Sequence, residues 1–127
     1  MGVFMYKVID LQKIKLRSVN KKYINGTFKL SPEYRSFKEL MYYSIDKPKK
    51  KILKPYTVAI LMKTYIDIDN PIKAILDALE ARKLIVNDKK VLRLLVDKIE
   101  EKRGYPSNLE VYLGTLGDRN DFRIPFY

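Results

Sequence analysis

The segment YIDIDNPIKAILDALE, Tyr65 to Glu80, puts Asp67 and Asp69 one residue apart where a β-rich run gives way to a helical one. On a strand that runs through both, such carboxylates project from one face with Cα atoms about 7 Å apart. A cation between them takes one oxygen from each. Lys73 follows four residues after Asp69, about 6 Å along a helix axis, close enough to offset charge on a bound phosphate. Asp88, at another turn, supplies a third carboxylate. Three acids and a lysine are the parts of a metal-dependent phosphodiesterase. The metal lowers the pKa of bound water and stabilises charge on the phosphate oxygens, and the lysine adds to that stabilisation. A plainer reading stands beside this one. Asp and Asn ahead of a helix are ordinary capping residues, Asp88 alone is an ordinary turn former, and like charges this close repel without a cation.

Composition narrows the chemistry. The chain has no His and no Cys. That removes the Ser-His triad, the usual general base and thiolate metal ligands. A metal held by side chains is then held mainly by carboxylates, which suits Mg2+ with Mn2+ as the alternative. The net charge of +11 predicts attraction to a polyanion. Nucleic acid is the first candidate and an anionic membrane surface the second; a solvated lysine-rich surface is the plainer alternative, which charge alone does not remove. Lys21, Lys22, the lysines at 47 and 49–51 (Lys49, Lys50, Lys51) and Arg93 are candidate phosphate contacts, spread along the chain rather than gathered in one run. Tyr23, Tyr42, Tyr43 and Tyr65 are candidates to stack on exposed bases, although packing in the core is the fate expected for most of them. No run of about 18 apolar residues and no signal-peptide pattern is present, so the expectation is a cytoplasmic protein with no membrane and no organic cofactor.

The elements that position these residues follow from periodicity. VFMYKVIDL reads as a strand, and RSVNKKYINGTFKL, with Asn25-Gly26, as a loop or irregular hairpin. SPEYRSFKELMYYSI reads as a helix capped by Ser31, opened by Pro32 and favoured by Glu33. DKPKKK breaks it into a cationic loop. YTVAILMKTYIDI reads as a central strand covered on both faces. Asn70 is expected to cap the next helix and Pro71 to open it, with Ile72, Ile75, Leu76 and Leu79 buried and Lys73, Asp77 and Glu80 turned away. VLRLLVDKI and NLEVYLG are further strands, and the loop between them is a possible hairpin. The order β, loop, α, β, α, β, β predicts an α+β (mixed α/β) domain: a small mixed β-sheet with two main helices on it. One domain over 1–127 is expected, with 115–127 as a C-terminal extension.

DIDNPIKAILDALEARKLIVNDKKV resembles the core signature of the RusA family of Holliday-junction resolvases, without a gap from Asp67 to Asp88. SVNKKY at 18–23 is similar to that family's N-terminal element, LSPEYRSFK to its first helix, and Lys98 falls where the family tends to carry a lysine. The resemblance covers about positions 18–113. It implies a RusA-like fold and a homodimeric, Mg2+-dependent endonuclease that resolves four-way junction DNA by paired symmetric nicks. Asp67, Asp69 and Asp88 would bind metal, Lys73 would be the catalytic lysine, and Asn70 and Asp77 would orient the site. On residue chemistry alone Asp77 pairs with Lys73. Lys98 and Arg93 would join the DNA-binding set. Many members are carried by phages, so a phage-encoded or nucleoid-associated protein fits. Three departures stand out: Asn87 replaces one acid of an acidic pair, Tyr65 and Ile66 replace basic residues, and Lys83 replaces a helix-ending glycine, so this helix is expected to end differently. Two other readings stay open: a non-catalytic nucleic-acid-binding module, and a general metal-dependent nuclease without junction preference.

Overall fold

The structure, a computed structural model, describes residues 5–16, 22–27 and 29–116. Strand β1 (Met5–Ile14) precedes helix α1 (Pro32–Ser44). Strand β2 (Tyr56–Thr64), helix α2 (Asp69–Ala81), strand β3 (Val91–Glu100) and strand β4 (Ser107–Thr115) follow. The sheet order is β1-β4-β2-β3; β2 pairs in parallel with β3 and antiparallel with β4, and β4 pairs antiparallel with β1. This is the α+β architecture the periodicity predicts. The connection between the last two strands is a loop, as expected, and not the hairpin that was its alternative. The chain after β3 crosses to the far side of β2, so β3 and β4 are not neighbours.

The core lies between the helices and one face of the sheet. Val58, Ile60 and Met62 of β2 meet Leu113, Val111 and Leu109 of β4 in register, all fully buried. The stripe Tyr34, Phe37 and Met41 of α1 is buried, as are Ala74, Ile75, Ala78 and Leu79 of α2. The opposite side chains of β2 are covered at Thr57 and Ala59 and open at Lys63.

Helix α1 starts as its sequence dictates: Tyr34 N–H donates to Ser31 Oγ at 3.2 Å, and Pro32 and Glu33 occupy the first turn. Between β1 and α1, Tyr23 bridges Leu30 and Gly26 takes a φ of 74°, so the irregular hairpin is present in its described part. Helix α2 differs from expectation at both ends. It begins at Asp69 with Ile68 at the cap position and no side-chain cap bond. Asn70 and Pro71 therefore sit inside the first turn, where a missing N–H costs nothing because those donors have no partner within the helix. At the other end Lys83 takes the left-handed φ of 62°. Its N–H donates to Glu80 O and the Leu84 N–H to Leu79 O, both at 2.9 Å. That is the six-to-one, five-to-two pattern which normally uses glycine. The helix ends as a glycine would end it, with lysine bearing the steric cost.

Candidate active site

Asp67 and Asp69 stand just past the C-terminal end of β2. The strand stops at Thr64, so the two carboxylates do not project from one strand face as the alternation suggested; Asp67 lies in a connection and Asp69 in the first turn of α2. The connection is pinned from below. Ile66 turns back into the core and is buried, and its N–H donates to Thr64 Oγ1 at 3.3 Å. Thr64 Oγ1 lies 2.8 Å from Ser107 Oγ, and both residues are fully buried. Tyr65 donates its hydroxyl to Leu16 O at 2.7 Å. Tyr65 is thus a tether between the ends of β1 and β2, not a free stacking ring. Anchored on both sides, this segment presents Asp67 and Asp69 outward.

Both carboxylates are exposed, and neither forms a hydrogen bond or ion pair with a described residue. Neither is a helix cap. An acid at the start of α2 is favoured by the helix dipole, so the pair is tolerated there without a protein cation. Lys73, one turn further, is also exposed and unpaired. Asn70 is half-buried beside them. Asp77 does not pair with Lys73 as residue chemistry alone suggested. It is half-buried and accepts from Tyr34 Oη at 3.5 Å, joining α2 to α1. Burial first, and then Asp77, push the Tyr34 hydroxyl up to about 12. Lys22 Nζ lies 5.4 Å from the Tyr34 ring centre and 5.2 Å from that of Tyr23.

Asp88 is elsewhere. It opens a short 3-10 turn, Asp88–Lys90, immediately before β3. Because β2 and β3 are parallel, α2 carries the chain back along the sheet, and Val91 is in register with Tyr56 at the start of β2. Asp67 and Asp69 lie beyond the end of the same strand. Twelve helical steps separate Asp69 from Ala81, about 18 Å. Asp88 therefore sits at the opposite end of the crossover, exposed and without a described partner. Among the described residues no three His, Cys, Asp or Glu side chains come close enough to share a metal. One chain assembles two acids and a lysine of the expected site, not three acids.

The basic candidates divide in the same way. Lys49, Lys50 and Lys51 are exposed in the loop before β2, at the Asp88 end. Lys22 is half-buried near the start of α1, and Lys21 lies outside the described residues. Arg93 and Lys98 are on opposite faces of β3, and Lys98 is engaged by Glu100 at 2.9 Å. Tyr42 and Tyr43 form an edge-to-face pair at 5.2 Å, with the Arg82 guanidinium 5.0 Å from the Tyr42 ring. A cleft of about 240 Å3 between the end of β1 and the first turns of α1 is lined by Lys15, Leu16, Glu33 and Phe37 among others, and by none of the candidate site residues. The anchoring pair Thr64 and Ser107 was not singled out from sequence; a hydroxyl ending an otherwise apolar strand was the available signal.

The family model for the endodeoxyribonuclease RusA matches residues 40–111, from the middle of α1 into β4. The match covers more than half of the chain and includes Asp67, Asp69, Asp77 and Asp88. The chain belongs to the RusA endodeoxyribonuclease family. A search among curated proteins returned no match. Among the described residues no helix is long and apolar enough to cross a membrane.

Proposed function

We propose that this chain is a Mg2+-dependent endodeoxyribonuclease that resolves four-way DNA junctions by paired nicks, acting as a homodimer. The observation that carries the reading is the pair of exposed, unpartnered carboxylates of Asp67 and Asp69, presented by a rigid turn in a chain of a DNA endonuclease family. An all-oxygen donor set suits a hard cation. It is incomplete in one chain, so Asp67 and Asp69 of one copy would hold the metal together with Asp88 of the second. A two-fold symmetric junction needs two opposed cuts, and a two-fold dimer supplies two such sites.

When bound there, Mg2+ supplies a nucleophilic water at neutral pH and offsets charge on the phosphate. The chain's own residues do the rest. Lys73 puts a cation beside the phosphate as negative charge builds on its equatorial oxygens. In a chain without histidine, a carboxylate Oδ of the acid set takes the proton of the attacking water. Asn70, held in the first turn of α2, orients the two acids that precede it. The exposed lysines neutralise the arms of the junction, which makes binding strongly salt-dependent.

The test is cleavage of a synthetic mobile four-way junction beside matched linear duplex, with Mg2+ or with EDTA, by wild type and Asp69→Asn. Paired nicks in the junction alone, abolished by EDTA and by the substitution while binding persists, are expected. Loss of binding rather than cutting in Asp69→Asn sinks the catalytic reading. Equal cutting of linear duplex returns a general nuclease.

A further inference from the structure

Asp69, Lys73 and Asp77 stand four residues apart on α2, so they follow one another along a single stripe of the helix. Side chains on a helix slant toward its N-terminus. Lys73 therefore leans toward Asp69, and Asp77 leans toward Lys73. A lysine followed four residues later by an aspartate ordinarily makes a surface ion pair. That pair is not made here. Lys73 is exposed and has no ion pair with a described residue, while the Asp77 carboxylate is engaged on the neighbouring helix.

Tyr34 is what engages it. This residue of α1 is fully buried, and a phenol in such a place needs an acceptor for its hydroxyl. Asp77 Oδ2, at 3.5 Å, is that acceptor. Asp77 is half-buried and has no second partner among the described residues. The bond is long for an O–H donor, so the packing of the two helices holds it rather than its own strength. Tyr34 is itself held on two sides. Its N–H donates to Ser31 Oγ at 3.2 Å, and the Ser31 N–H donates to Lys22 O at 2.8 Å. Lys22 then returns over the ring, with Nζ 5.4 Å from its centre, within the range of attraction to an aromatic face.

We propose that Tyr34 is a positioning residue: it draws Asp77 onto α1 and so keeps the Lys73 ammonium, one helical turn away, free for a bound phosphate. What Lys73 does with that freedom rests on the nuclease reading; what Tyr34 does to Asp77 rests on the two helices alone. A lysine stabilises charge on a phosphate only where no nearer carboxylate neutralises it first. Without the phenol, Asp77 is left with Lys73 as the next cation along its own helix. The lysine–aspartate spacing in the sequence reads as a pair, and the buried tyrosine opposite is what separates it.

Tyr34→Phe removes the hydroxyl and keeps the ring. Lys73 can be read without reference to activity. Reductive methylation with 13C-formaldehyde labels the amines, and the signal lost in Lys73→Arg identifies Lys73. At fixed pH that signal is expected to move in Tyr34→Phe and to return in Tyr34→Phe/Asp77→Asn, because an amide carries no charge to pair with the ammonium. A signal that stays in place in Tyr34→Phe, or does not return in the double variant, overturns the inference. Single-turnover cutting of a four-way junction in Mg2+ is measured on the unlabelled proteins, corrected for folded fraction by urea denaturation. Tyr34→Phe is expected to cut about twofold more slowly, the factor that a pair at this spacing is worth. Adding Asp77→Asn is expected to speed it up again. If Tyr34 serves stability alone, the second substitution adds to the damage, and a double variant no faster than Tyr34→Phe overturns the inference. A wild type that cuts no DNA overturns the nuclease reading alone, and the Lys73 signal then decides the role of Tyr34 by itself.

Discussion

Thr64 and Ser107 join their hydroxyls at 2.8 Å in a place sealed from solvent, directly beneath the turn that carries Asp67. Thr64 also accepts the Ile66 N–H, so one oxygen links the end of β2, the start of β4 and the turn. Thr64→Val leaves both the Ser107 hydroxyl and the Ile66 N–H without a partner. The expected cost is about 1–3 kcal/mol, the range for orphaned buried polar groups, read as a lower midpoint in urea. Thr64→Ser keeps the bond and should lose less. Cleavage should fall further in Thr64→Val than its folded fraction accounts for, because the turn is no longer fixed; activity that tracks folded protein alone would make the pair purely structural.

How far this turn was legible in the sequence is instructive. The alternation of Val58, Ile60 and Met62 and the start of α1 at Ser31 are local signals, and both appear where periodicity and capping put them. The end of β2 is not a local signal. Tyr65-Ile66-Asp67-Ile68 keeps alternating apolar and polar residues, and only Ile66 folding back under Thr64 stops the strand. The separation of Asp88 from Asp67 and Asp69 was hidden for a different reason. It follows from β2 and β3 being parallel neighbours, and sheet order is decided by the whole core rather than by any one segment.

Lys83 makes a second test. It takes a left-handed φ of 62° at the end of α2, a conformation in which a Cβ crowds the adjoining carbonyl. Lys83→Gly removes the Cβ and keeps both backbone bonds, so stability should rise by roughly 0.5–1 kcal/mol. Chemical denaturation checks this. A loss of stability would mean that the lysine side chain holds the helix end.

Tyr34 predicts an alkaline limit. Its hydroxyl is raised from 10.0 to about 12, by burial first and by Asp77 second. Between those values the folded chain keeps a proton that the unfolded chain has lost, so stability falls as pH rises. The contribution is complete below the unfolded value and gone above the folded one. Tyr34→Phe should flatten this flank, measured as the urea midpoint across that window. An unchanged slope would assign the alkaline loss to other groups.

The loop lysines predict a salt effect. Each phosphate contact contributes about 0.9 to the slope of log affinity against log salt for duplex DNA, so replacing Lys49, Lys50 and Lys51 together by alanine should lower that slope by about 2–3. Weaker binding at an unchanged slope would place these side chains away from the phosphates.

The sharpest test concerns how the acids combine. Asp88 and the Asp67–Asp69 pair lie at opposite ends of the α2 crossover, so a site that uses all three draws Asp88 from the other copy. Asp69→Asn and Asp88→Asn homodimers should each fail to cut, one lacking the acid at the helix start and the other the acid supplied across the dimer. Unfolded together and refolded as a mixture, they should regain activity. In a mixed dimer, the Asp88→Asn chain keeps Asp67 and Asp69 and receives Asp88 from the Asp69→Asn chain, so one of its two sites is intact. With random pairing half of the dimers are mixed, giving about a quarter of the wild-type sites. The recovered activity should nick one strand of the junction rather than cut symmetrically. If each chain instead builds its own site, every site in the mixture lacks one acid and no cutting returns, however completely the subunits exchange.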